Sequence, residues 1–238
     1  MASMTSLVHY QFKDGVAHIS MDDGKANVMS LAMQAELNSA FDRAQQDNAV
    51  VLLSGREGKF SAGFDLAVLA TGGTDAAKML LGGFTTAQRL LMHPRPVVVA
   101  CTGHAMAMGL FLALCGDYCI GVDGNYKMSA NEVAIGITLP RTAIEICRNR
   151  LAPAHLIRAT LTSEVYSPAQ AVDAGMLDEL VAQDELLERA LAKAIEFTAL
   201  NNEAYIASKK LLRSQLTQTI AETIQADEKT FNDMFCAN

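Results

Sequence analysis

Two short segments combine small residues with the beginning of a predicted helix, which is a pattern that can bind an oxyanion. Residues 60–66 (FSAGFDL) contain Ser61, Ala62 and Gly63, which let the backbone approach a ligand closely. Residues 102–109 (TGHAMAMG) take the same place in the next strand–loop–helix unit. The first N–H groups of a helix have no partner within it and bind anions. Two such loops side by side could aim two N–H groups at one oxygen, as a developing enolate requires.

A third segment, residues 129–136 (SANEVAIG), places the carboxylate of Glu132 among alanine, valine and isoleucine side chains. Apolar neighbours disfavour the charged form and raise the pKa of a carboxyl group toward neutral pH. A group with such a pKa suits general acid–base catalysis. The segment therefore predicts a catalytic acid or base.

Each segment also has a structural interpretation that the spacing leaves open. The first could be a tight turn capped by Asp65, and Glu132 could be an acid at the start of a helix on a surface turn. His104, in the second segment, is a possible base. A lone histidine in an apolar loop is more often structural, so we do not assign it to catalysis.

The elements that must hold these loops follow from the hydrophobic pattern. We expect a hairpin over residues 7–21, a helix capped by Ser30 and running to about residue 47, and buried strands at 50–53, 96–101 and 118–122. We expect residues 59–66 to be a loop entering a helix, residues 71–74 to be mobile, and residues 76–92 to be helical. Helices follow Pro140. Apolar strands alternating with helices predict an α/β fold whose parallel strands are covered on both faces.

Composition narrows the possible functions. The 238-residue chain has a net charge of -7 and a pI of about 5.2, which disfavours binding to nucleic acid. Its five cysteines, without metal-ligand spacing, indicate free thiols in a reducing compartment and no metal site. We see neither a signal peptide nor an apolar run long enough to cross a membrane. We expect a cytoplasmic protein that does not bind membranes.

Several motifs in order resemble the enoyl-CoA hydratase/isomerase, or crotonase, superfamily from about Val8 to the end. They are GREGKFSAGFDL (55–66), PVVVACTGHAMAMGLFLALCGDY (96–118), the pair Asn131-Glu132 followed by Gly136, and SPAQAVDAGMLDELV (167–181). The resemblance implies a spiral of ββα units, with a core over residues 1–185 and a helical region over residues 186–238. It also implies a homotrimer or a dimer of trimers, in which the C-terminal helices bury surface between subunits.

The resemblance also implies the chemistry and its residues. An acyl-coenzyme A thioester would bind with its oxygen between the N–H groups of Phe64 and Met108, and Glu132 matches a catalytic acid of the family. No cofactor is implied, because coenzyme A is part of the substrate. The remaining substrate-binding positions come from the backbone around these groups: Ala26, Ala62, Gly63, Asp65, Leu66 and Gly109.

Two features bear on the reaction type. Hydratases carry a second glutamate where this chain has Phe111, and that position is apolar in the mitochondrial 3-enoyl to 2-enoyl isomerases. We therefore predict an enoyl-CoA isomerase of fatty acid metabolism; the alternatives are an enoyl-CoA hydratase or lyase and a non-catalytic acyl-CoA-binding scaffold. The family usually has glycine at the place of Met108 and often at that of Ala107, so we expect Met108 to narrow the pocket or shift its N–H group.

Overall fold

The computed structural model describes residues 6–236 and has an α/β architecture with nine strands and ten α-helices in that range. The strands are β1 (Val8–Lys13), β2 (Val16–Met21), β3 (Val50–Ser54), β4 (Gly58–Ser61), β5 (Val97–Cys101), β6 (Gly103–Met106), β7 (Tyr118–Val122), β8 (Met128–Ser129) and β9 (Glu179–Val181). The helices are α1 (Leu31–Gln46), α2 (Leu66–Thr71), α3 (Gly73–Leu91), α4 (Met108–Leu114), α5 (Arg141–Arg150), α6 (Pro153–Thr160), α7 (Pro168–Asp173), α8 (Leu186–Thr198), α9 (Asn202–Leu212) and α10 (Ser214–Phe235). A short 3₁₀ helix, Val133–Ile135, precedes α5.

A strand–strand–helix unit occurs four times, as the family resemblance implies. The units are β1-β2-α1, β3-β4-α3 with α2 inserted, β5-β6-α4 and β7-β8-α5. The large sheet has the order β1-β2-β3-β5-β7-β9, and β4, β6 and β8 form a second sheet. Only the β1–β2 pair is antiparallel in these two sheets, which confirms the predicted hairpin; its turn places Asp14 and Gly15 at φ 51° and 77°.

The central strands of the large sheet, β3, β5 and most of β7, are buried on both faces, as their continuous apolar sequences predict. Val50, Leu52 and Val98 share one cluster with α8, while Val51 and Leu53 point into the main core. This alternation follows from the two-residue period of side chains along a strand. Because its central strands are packed on both faces, the sheet can fix the positions of the loops that follow those strands.

The second sheet was not predicted from the sequence. Residues 59–61, which we expected to belong to a loop, are part of β4, and residues 103–106 form β6 beside it. Residues 71–74, which we expected to be mobile, are mostly helical in the structure. Thr71 ends α2, Gly73 and Thr74 belong to α3, and only Gly72 separates the two helices. The helical region expected after Pro140 ends in two helices, α9 and α10, which meet at Arg213.

The last helix packs on its own chain. Helix α10 contacts α3 and α5, and its buried side chains Ile220, Asp227 and Phe231 face that interface. Within residues 6–236, no helix is long and apolar enough to cross a membrane.

Candidate active site

The two glycine-containing loops meet, as the sequence predicts. The loop after β4 and the loop between β6 and α4 touch at Gly63, where a side chain would come within 2.9 Å of the Ala107 Cβ and 3.3 Å of the Met108 nitrogen. Gly63 has φ 92°, which residues with a side chain rarely adopt. Close packing of the loops therefore depends on a glycine at this position.

Two backbone N–H groups beside this contact are without partners. In the part of the chain that the structure describes, no carbonyl or side chain accepts a hydrogen bond from the N–H of Phe64 or of Met108. Met108 is the first residue of α4, where an N–H group has no partner within the helix. Both groups are therefore available to a ligand oxygen.

The backbone between β6 and α4 adopts an unusual conformation that presents this helix end. Ala107 has φ 50° and ψ -124°, and a residue with a side chain held in such a region costs about 1–3 kcal/mol. Gly109 lies against β4, because a side chain there would come within 2.4 Å of the Ser61 carbonyl oxygen. The site thus combines local strain with a close approach of two backbones.

Asn27 ties these loops together, and we did not predict its role from the sequence. Its side chain is fully buried and donates to the carbonyls of Met21 (2.9 Å) and Phe60 (3.2 Å). Ser61 Oγ donates to the Asn27 carbonyl at 2.6 Å. Asn27 also has φ 52°, which asparagine tolerates better than most residues. In the sequence, only its place in the turn-like segment DGKAN could have indicated a structural role for Asn27.

Ala26 lies beside this network rather than in the cavity. Its carbonyl accepts from the Ala62 N–H at 2.9 Å, and the Met29 N–H donates to the Gly63 carbonyl at 2.8 Å. Asp65 is also outside the cavity, because its carboxylate accepts from the Ala67 N–H and caps α2. This cap is one of the structural alternatives that the sequence left open.

The Met108 side chain does not narrow the cavity, which was one of the two effects that we expected of it. The side chain is fully buried and does not contribute to the cavity wall. Its sulfur lies next to Gly83 of α3, where an added Cβ would be 3.5 Å away. Gly83 also leaves room for the ring of Phe64. A glycine on the facing helix therefore makes space for these larger side chains.

A cavity of about 830 Å³ opens beside the two loops. Ala62, Phe64 and Ala107 line it at the loops, and Asn131 and Glu132 line it from the segment before α5. Helices α2, α3, α5 and α10 complete the wall of the cavity. Leu66, the first residue of α2, is part of this lining. The cavity is within the roughly 300–1,000 Å³ range of small-molecule sites.

Glu132 has the properties of a general acid–base residue. It is only 7% exposed, and burial raises its pKa to about 7, partly offset by a hydrogen bond from its own backbone N–H. One carboxylate oxygen, Oε2, is buried and accepts no hydrogen bond from the described residues. Its carbonyl accepts from the N–H groups of Ile135 (3.1 Å) and Ile137 (2.9 Å), which fixes its position at the start of the 3₁₀ helix.

Three other side chains that bear on acid–base catalysis have structural roles. Asp227 lines the cavity but accepts from the N–H groups of Arg141 (3.0 Å) and Thr142 (2.8 Å), so it caps α5. Phe111, which the resemblance places where hydratases carry a second glutamate, is 1% exposed and stacks on Phe84. His104 accepts from the Lys127 N–H at 3.0 Å and packs against a tyrosine ring, as the structural interpretation predicts.

Metal binding has no evident place in the described range. Within residues 6–236, no three histidine, cysteine, aspartate or glutamate side chains are grouped so that they could hold a metal ion. The free cysteines are Cys101, Cys115, Cys119 and Cys147, which are buried, and Cys236, which is exposed.

Comparisons with known proteins point to one family. A model of the family described as enoyl-CoA hydratase/isomerase matches residues 11–238. A solved structure of a Mycobacterium tuberculosis protein, described there as an enoyl-CoA isomerase and in a second structure as a probable enoyl-CoA hydratase, is 42% identical with a TM-score of 0.90, over 94% of this chain and 98% of that one. The mouse mitochondrial enoyl-CoA delta isomerase 1 is 27% identical over 97% of this chain and 81% of its own length. A probable enoyl-CoA hydratase of Rhizobium meliloti is 25% identical over 99% and 91%.

Proposed function

The chain belongs to the enoyl-CoA hydratase/isomerase family, and on that premise we propose that it shifts the double bond of a 3-enoyl-CoA thioester to the 2 position. The observation that supports this proposal most is the buried carboxylate of Glu132, with a pKa of about 7, in the wall of a cavity beside two free N–H groups. Isomerisation needs one group that takes a proton and gives it back. Glu132 suits that task at neutral pH, because both of its protonation states are populated there.

The first step forms an enolate. The thioester oxygen accepts hydrogen bonds from the N–H groups of Phe64 and Met108, and Glu132 removes a proton from the carbon next to the thioester. Negative charge moves onto the thioester oxygen as the carbon–hydrogen bond breaks. The two N–H groups are already oriented before the charge forms, so they stabilise the transition state without reorganisation.

The second step returns the proton two carbons further along the chain. The enolate reforms the thioester carbonyl, the double bond moves to the 2 position, and Glu132 gives its proton to the gamma carbon. The carboxylate is then ionised again and ready for the next substrate. No atom is added or lost, so neither a cofactor nor a second catalytic group is required.

Hydration is the second candidate, because some relatives carry the name hydratase. Adding water requires one group to activate the water and another to deliver a proton. Phe111 cannot supply either, and Asp227 is held by backbone N–H groups at the start of α5. These two observations favour isomerisation over hydration.

The test is a turnover screen with 2-enoyl and 3-enoyl thioesters of several lengths. We expect isomerisation of the 3-enoyl thioester to be faster than hydration of the 2-enoyl thioester. Faster hydration would favour the second candidate. If neither is turned over but calorimetry detects binding, the protein is a non-catalytic scaffold.

We also propose that the protein assembles as a homotrimer or a dimer of trimers. Leu187, Leu191 and Ile195 are spaced at one turn of α8, and each is more than 40% exposed. Leu211 and Leu212 of α9 are 79% and 85% exposed. Apolar stripes of this kind are typical of surfaces that are covered in an assembly. Light scattering should give three or six times 25.5 kDa, and a monomer at micromolar concentration would contradict the proposal.

A further inference from the structure

One wall of the cavity carries no polar side chain. Helix α2 contributes Leu69 and Ala70, α3 contributes Leu80 and Phe84, and the end of α10 contributes Phe231. Met234 and Phe235, also at the end of α10, line the same wall. We call this surface of α2, α3 and residues 231–235 the apolar wall. A wall without donors or acceptors favours hydrocarbon over any polar group.

The apolar wall is held in place before a ligand binds. The rings of Phe84 and Phe231 stack with centroids 6.3 Å apart, and the Phe64 ring meets Phe84 edge-on at 6.0 Å. Asp227, one turn earlier on α10, accepts from backbone N–H groups at the start of α5. These contacts fix α10 over the cavity, so little ordering is needed when a ligand enters.

Part of the cavity lining is in contact with water. Leu66 is 67% exposed and Met234 is 59% exposed, although both line the cavity. Covering such side chains with hydrocarbon removes apolar surface from water, which favours binding. A short acyl group would leave much of this surface uncovered.

From the apolar wall we propose that the substrate carries a medium- or long-chain aliphatic acyl group; this inference rests on the proposed function. The cavity of about 830 Å³ exceeds what a four-carbon acyl group needs beside Glu132. Each further methylene that reaches the wall should raise kcat/KM about fourfold, which corresponds to the usual transfer free energy of a buried methylene.

The polar side chains that line the cavity do not favour a charged acyl group. Arg141 lines the cavity, and its guanidinium donates to Asp227 (3.3 Å) and to the Thr230 hydroxyl (3.1 Å). Because its charge is paired with a carboxylate, we expect a terminal carboxylate on the acyl chain to weaken binding. Preference for such a thioester would overturn the inference.

The experiment measures kcat/KM for 3-enoyl thioesters of four, six, eight and ten carbons. We expect a rise of about 10²–10³-fold from four to ten carbons, less than the full value because some methylenes stay exposed. Ala70→Phe fills the apolar wall from an exposed position on α2, and it should lower the ten-carbon value about tenfold relative to the four-carbon value. Thr71→Phe is the matched control, because the neighbouring Thr71 does not line this cavity.

The outcomes separate this inference from the proposed function. Equal kcat/KM at four and ten carbons, or an equal loss at both lengths in Ala70→Phe, overturns the inference while isomerisation itself stands. If no thioester is isomerised but calorimetry shows decanoyl-CoA binding more tightly than butyryl-CoA, the proposed function fails and the inference stands.

Discussion

Replacing Glu132 with glutamine should make the protein nearly inactive and, at alkaline pH, more stable. Glutamine keeps the size and hydrogen-bonding capacity of the side chain but cannot take a proton. A positioned general base contributes roughly 10²–10⁴ in rate, so isomerisation should fall by at least that factor. Binding of the thioester should change little, because the N–H groups of Phe64 and Met108 are untouched.

The change in stability follows from the pKa of Glu132. Burial raises this pKa from the ordinary value of 4.5 to about 7, which corresponds to about 3 kcal/mol. Below pH 4.5 the group is protonated in both the folded and the unfolded protein, so it costs nothing. Between pH 4.5 and about 7 the carboxyl ionises in the unfolded chain, where water solvates the charge, but it stays protonated in the folded protein. The wild type therefore loses stability across this window and no further above it, and Glu132→Gln does not.

The assay is chemical unfolding followed by circular dichroism at pH 4 and pH 8. We expect the two proteins to be similar at pH 4, and Glu132→Gln to be more stable by about 3 kcal/mol at pH 8. Glu228→Gln is the control, because Glu228 is exposed on α10. If Glu132 were a structural acid at the start of a helix, its replacement would lower stability and leave turnover nearly unchanged, and that pair of results would refute our reasoning.

Further predictions concern the loops and the pH profile. Phe64→Pro removes one N–H group and should lower turnover about 10²–10³-fold in a protein that is folded by circular dichroism; unchanged turnover would remove Phe64 from the site. Gly63→Ala places a Cβ 2.9 Å from that of Ala107 at φ 92°, so the loops should separate and turnover should fall; a crystal structure would show unmoved loops if this is wrong. Asn27→Ala leaves buried carbonyls without donors and should lower the unfolding free energy by about 1–3 kcal/mol in denaturant titrations. In wild type, kcat/KM should rise with pH through about 7, where Glu132 ionises, and a flat profile would argue against it as the base.

Local patterns were enough to predict five of the six strands of the large sheet, all but β9, and the two loops that meet at the site. Val50 to Leu53 and the strand ending at Cys101 are continuous apolar runs, and each leads to a loop of small residues. The apolar neighbours of Glu132 likewise predicted its burial, which the structure confirms at 7% exposure. These features depend on residues close together in the chain, so a single sequence reveals them.

Features that depend on distant residues were not predictable in this way. The strands of the second sheet are only two to four residues long, too short for a clear period. The place of the Met108 side chain depends on Gly83, which lies on another helix. The amphipathic pattern of α10 does not say which surface covers the apolar face of the helix. In the structure it is the cavity and core of the same chain.

The most direct test of the central claim is the fate of the transferred proton. A 3-enoyl thioester of ten carbons is converted in deuterated buffer, and the product is examined by nuclear magnetic resonance and mass spectrometry. If buried Glu132 carries the proton from the alpha to the gamma carbon, part of the 2-enoyl product retains protium at the gamma carbon, and Glu132→Gln forms almost none of this product. Complete deuteration at the gamma carbon together with accumulation of a 3-hydroxyacyl thioester would contradict the single-carboxylate mechanism.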